Sequence, residues 1–129
     1  MAGIEQRAQI DTETFKGLLA INGGGAIALL SFLAAILNKP NVNALVHAVL
    51  WGVMVMMLGV VAAVVHNYLR RRCSLLYEHH NGRPPTGRLL GLSLPSPTVC
   101  FCSLACMWIS LAAFLTAGLV VAVTGLFLV

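Results

Sequence analysis

Charge is what this sequence lacks. Only 9% of its 129 residues are Asp, Glu, Lys or Arg, against roughly 25% in a soluble domain. So sparse a set cannot keep a water-facing surface in solution, which excludes an ordinary soluble globule. Aromatic residues are also scarce, at 7%. The few charges sit in three short stretches rather than along one face, so no basic stripe follows a phosphate backbone and no nucleic-acid partner is expected. No Asp, Glu, Lys or Arg lies inside any long apolar run. That removes the mid-membrane charge on which proton- and cation-coupled transporters usually depend. An acid–base pair and an activated nucleophile are missing as well, so no enzyme and no cofactor is expected.

What is present is apolar. Hydrophobic residues make up 59% of the chain, mean hydropathy is +0.90, and the 12 glycines suit membrane helices, where glycine is commoner than in soluble ones. The expected fold is an all-α integral membrane protein, a single membrane domain of three transmembrane helices. Residues 1–16 form a polar N-terminal segment, in which Asp11 is an expected helix cap. Span one covers 17–37, 21 uncharged residues that would reach about 31 Å as a helix across a core about 30 Å thick. Asn38-Lys39-Pro40-Asn41 ends it, and the short connection predicts a tight antiparallel hairpin. Span two covers 44–69 and is expected to stop at Arg70-Arg71-Arg72. The loop at 70–98 contains Pro84, Pro85, Pro95, Pro97 and several glycines, a composition that opposes regular structure. Span three covers 99–129. A signal-like Val42-x-Ala44 site follows the first run, but that run is longer than a signal core and its leader is acidic, so an uncleaved span is expected.

Lysine and arginine counts predict sidedness. The N-terminal segment and the 70–98 loop share one side and hold seven of these residues, against Lys39 alone on the other. The N-terminus and the loop are therefore expected in the cytoplasm. Arg70, Arg71 and Arg72 could hold anionic headgroups there, or serve only as a topology signal.

Helices in lipid associate at small residues, because lipid tails are as apolar as leucine. Span one offers Gly24, Ala28, Ser31 and Ala35 at spacings of four, three and four, hence on one face. Span two offers Gly52, Gly59 and Ala63, together with Ala48. Span three offers Ala113 with Ala117 and Gly118 with Ala122. These faces could close the bundle or drive homo-oligomerisation. Intramembrane polar candidates are Asn22, beside Gly23-Gly24-Gly25, and His47 and His66, whose separation keeps them from sharing a ligand. Three adjacent glycines could let a helix unwind and line a path; close approach of a neighbour is the plainer use. All four cysteines fall near the cytoplasmic end, where free thiols are expected. Cys102 and Cys106 share a face and, with Cys100 and Met54, Met56 and Met57, are the only hint of a Cu(I) site. No metal site is expected, since thiol and thioether groups sit at different depths and both residue types pack as hydrophobes. Glu78-His79-His80 has no further ligands at metal spacing.

The stretch FKGLLAINGGGAIALLSFLAAIL at 15–37 resembles the first span of a loose group of small bacterial membrane proteins with an "INGG-A-ALL-FL" pattern. SLAAFLTAGLVVAV at 110–123 is similar to their last helix, and span two fits only in outline. About a third of the chain is covered. The cysteine cluster and the Pro-containing loop depart from that pattern. The group carries no characterised activity, so the resemblance implies a bacterial inner membrane and no chemistry. Together these observations lead to an accessory or interaction subunit, working by helix packing with itself or with a larger membrane partner in the lipid bilayer. The rivals are a small homo-oligomeric channel or transporter and a copper- or redox-handling protein.

Overall fold

The computed structural model describes the backbone at residues 2–79, 86–89 and 92–127, and side-chain surroundings at 9–75 and 98–127. Three long helices dominate: α1, Ala2–Ile36; α2, Asn43–His79; and α3, Ser96–Phe127. All three contain stretches long and apolar enough to cross a membrane, as a multi-pass helical membrane protein requires. Helices α1 and α2 have 35 and 37 residues. Each would extend about 50 Å, well beyond a hydrocarbon core of about 30 Å.

Two expected boundaries move. The first helix begins at Ala2, so Asp11 lies inside it and caps nothing. Its carboxylate instead accepts from Arg70 Nε at 2.9 Å. The second helix passes through Arg70–Arg72 and reaches His79. Arginine, leucine and glutamate are good helix formers, so the arginines end the apolar run without ending the helix. The connection between α1 and α2 is as compact as its length requires. Lys39 N–H donates to the Ile36 carbonyl at 2.9 Å, and Asn41 adopts a left-handed φ of 62°, which asparagine tolerates better than most residues.

The loop at 70–98 also differs from its irregular expectation. Strands β1, Thr86–Leu89, and β2, Leu92–Pro95, pair antiparallel with Thr86 opposite Pro95 and Leu89 opposite Leu92. Pro95 stands at the end of β2, where a missing N–H costs least. Pro97 falls in the first turn of α3, where the fixed φ of proline suits a helix start.

The middle helix is α2, which packs against both others. Ile36 clusters with Leu45 and Val49, Gly59 faces Asn22, and Asp11 meets Arg70. These contacts climb α2 as they descend α1. Those with α3 run antiparallel too: Gly52 faces Ala117, His66 meets Ser103, and Cys73 meets Cys100. Buried positions on α2 (Leu45, Val49, Gly52, Met56, Gly59, Ala63, His66) step by four and three residues. A mean step of 3.5 winds helices into a left-handed supercoil. Large side chains such as Trp51, Phe101, Trp108 and Phe127 point outward, as a lipid-facing surface should.

Candidate functional site

Among the described residues, buried polar side chains form two separate layers. In the first, Asn22 of α1 is fully buried. Its Nδ2 donates to the Leu18 carbonyl at 3.1 Å, the Ser110 carbonyl at 3.2 Å and Ser110 Oγ at 3.1 Å. Two hydrogens serve three acceptors, so one bond is shared. Asn22 Oδ1 is buried and has no hydrogen-bond partner among the described residues. It points at Gly59, where an added Cβ would overlap the carboxamide. The Gly59 Cα–H standing in that direction is a weak donor that partly offsets the loss. Only glycine fits there, and the fit sets how closely α1 approaches α2.

Two helical turns further along α2 lies the second layer. His66 Nδ1 is 2.7 Å from the Ser103 carbonyl and 3.0 Å from Ser103 Oγ, and Ser103 Oγ donates to the His66 carbonyl at 3.3 Å. A carbonyl only accepts, so Nδ1 carries a proton and donates it to Ser103. Seven residues on α2 and seven on α3 separate the layers, about 10.5 Å. No proton can pass between them directly, and an amide does not titrate. The arrangement pins three helices in register.

The sequence-expected residues are sorted by helix. On α2, Gly52, Gly59 and Ala63 face inward and are buried. On α1, Gly24, Ala28, Ser31 and Ala35 are all exposed, and nothing lies within 4 Å of a Cβ built at Gly24. On α3, Ala113 and Ala117 are buried whereas Gly118 and Ala122 are exposed. The helix runs unbroken through Gly23–Gly25, so the glycines do not unwind it. Gly25 instead faces the Met56 sulfur, 2.8 Å from where a Cβ would stand. His47 is exposed, at the opposite end of span two from His66.

The cysteines correct one expectation. Cys73 and Cys100 form a disulfide, with Cα atoms 5.7 Å apart, a usual bridging distance. Only Cys102, exposed, and Cys106, partly buried, are free. The antiparallel register of α2 and α3 brings the bridged pair together. A copper site using Cys100 thereby loses that ligand. Met56 packs against Ala26 and Ala117, while Cys106 packs against the Leu69–Cys73–Val99 cluster, so thioether and thiol lie in different layers. Among the described residues no three His, Cys, Asp or Glu gather at metal distance. Glu78-His79-His80 lies outside the residues whose side chains are described.

At the same end, Arg72 Nε donates to Tyr68 Oη at 3.2 Å and its guanidinium carbon lies 5.5 Å from the Tyr68 ring centre. Arg71 is exposed. Sequence reasoning missed Ser103 and Ser110. Their signal was a seven-residue spacing shared with Ala117, the period of a buried seam. No family model, curated protein or solved structure matches the chain.

Proposed function

We propose that this protein is an accessory or interaction subunit of a bacterial inner membrane that docks a further transmembrane helix on the outward face of α1. The observation that carries this reading is the exposure of Gly24, Ala28, Ser31 and Ala35 on a helix that buries a different face. Lipid gains little from small residues, while a second backbone gains close packing. The bundle closes through Leu18, Asn22, Ala26 and Ile36 and has no use for the small face. The docked helix belongs to a second copy or to a larger membrane protein, and no enzymatic role is part of the reading.

Gly24→Leu tests it. Where the docked helix is a second copy, native mass spectrometry of the chain released from nanodiscs should show association in the unsubstituted protein and a bare monomer in the variant, with thermal unfolding unchanged. Where it belongs to a larger protein, co-purification from native membranes should be lost in the variant. Association that survives Gly24→Leu would rule out this face.

The reading includes a cytoplasmic N-terminus and loop, supported by seven basic residues against one. The Cys73–Cys100 bridge would then meet a reducing compartment, where protein disulfides are redox-responsive rather than permanent. Alkaline phosphatase fused after Val129 should be active. An inactive fusion would invert the topology and make the bridge a standing structural one.

A further inference from the structure

We propose that Arg71 and Arg72, together with Tyr68, form a binding site for the phosphate of an anionic phospholipid, and that Arg70 takes no part in it. The three arginines are adjacent in sequence, but the structure gives them different tasks. Arg70 is bonded to Asp11 at 2.9 Å, with both side chains partly buried, and its charge is balanced. Arg72 uses Nε on Tyr68 and rests over the ring, which holds its guanidinium while leaving the two terminal nitrogens open. Among the described residues no acceptor meets those nitrogens or any nitrogen of Arg71. Residues three and four positions apart are neighbours on a helix, so Arg71 and Arg72 both border Tyr68. Two guanidinium groups with free donors match the oxygens of a phosphate.

A phosphate could come from a lipid or from solution, and the surface beneath favours the lipid. Val61, Val64 and Val65 are 57%, 50% and 40% exposed, one to two turns below Tyr68 on the membrane side. Tyr68 itself is 52% exposed, and tyrosine rings settle at headgroup level. The site thus offers donors at phosphate depth, an amphipathic ring below them and an apolar track where an acyl chain would lie. It needs this end of α2 at a membrane surface and is independent of what docks on α1.

The full chain in nanodiscs of mixed phosphatidylcholine and phosphatidylglycerol tests the assignment, with retained lipids counted by native mass spectrometry. The unsubstituted protein should keep phosphatidylglycerol in preference. Arg71→Gln and Arg72→Gln should each lower that preference about fivefold, the usual weight of one basic group near an anionic surface. Arg70→Gln should leave it within a factor of about two, since Asp11 already neutralises that charge. If Arg70→Gln fails to fold, Asp11→Asn answers the same question: it frees a third guanidinium and should raise retention. Equal losses at all three arginines, or no preference at all, would overturn the proposal. Displacement of the lipid by millimolar inorganic phosphate would overturn the lipid assignment in favour of a soluble ligand.

Discussion

The two ends of this bundle are held together by different means. At the turn between α1 and α2, Ile36, Leu45 and Val49 pack as a purely apolar cluster, and the short connection keeps the helices adjacent. At the opposite end α1 and α2 have no connection, and α2 reaches α3 only through a long loop. There the contacts are ionic, polar and covalent: Asp11 with Arg70, His66 with Ser103, Cys73 with Cys100. A short turn brings its ends together at small entropic cost, and the cost of closing a connection rises with its length. Where connectivity is weak, directed bonds take its place. At that end Asp11 and Arg70 stand outside the uncharged runs at 17–37 and 44–69.

The largest expected effect is at the bridged end. Cys73→Ser, or a reductant, should lower stability by about 3 kcal/mol, since the bridge spans a long loop. Denaturation in detergent with and without reductant measures it, and an unchanged midpoint would show that the polar contacts suffice. Next is the middle of the bundle. Gly59→Ala drives a methyl into the buried Asn22 carboxamide, which cannot move without losing its bonds to Ser110, and should cost about 2 kcal/mol. Smallest is the turn. Asn41→Val places a β-branched residue at a φ of 62° and should cost about 1.5 kcal/mol, while Asn41→Gly should be tolerated. A turn variant more harmful than loss of the bridge would reverse the contrast between the two ends.

The three spans were legible because an uncharged apolar run of bilayer length is rarely buried in a water-soluble fold. The turn was legible too, through Pro40 and the flanking asparagines. Helix limits outside the lipid were not. The arginines at 70–72 break hydropathy, yet their backbone propensity favours helix, and Asp11 resembles a cap until its partner fifty-nine residues away is known. The small-residue face of α1 could be read from spacing, but its direction could not, because helix periodicity gives a face and not a neighbour. The same limit hid Ser103 and Ser110, which became partners of His66 and Asn22 only once α3 was set in register. Cys73 and Cys100 are separated by 27 positions, and their pairing likewise required the antiparallel register of α2 and α3.

The most direct test of helix docking on α1 is photo-crosslinking in native membranes. A crosslinking side chain at Ala28, on the outward small face, should yield a discrete adduct with a second transmembrane chain. The same group at Leu30, also exposed but off that face, should yield only lipid. Adducts of equal strength from both positions, or none from Ala28, would contradict the proposal that the face of Gly24, Ala28, Ser31 and Ala35 is where this protein meets its partner.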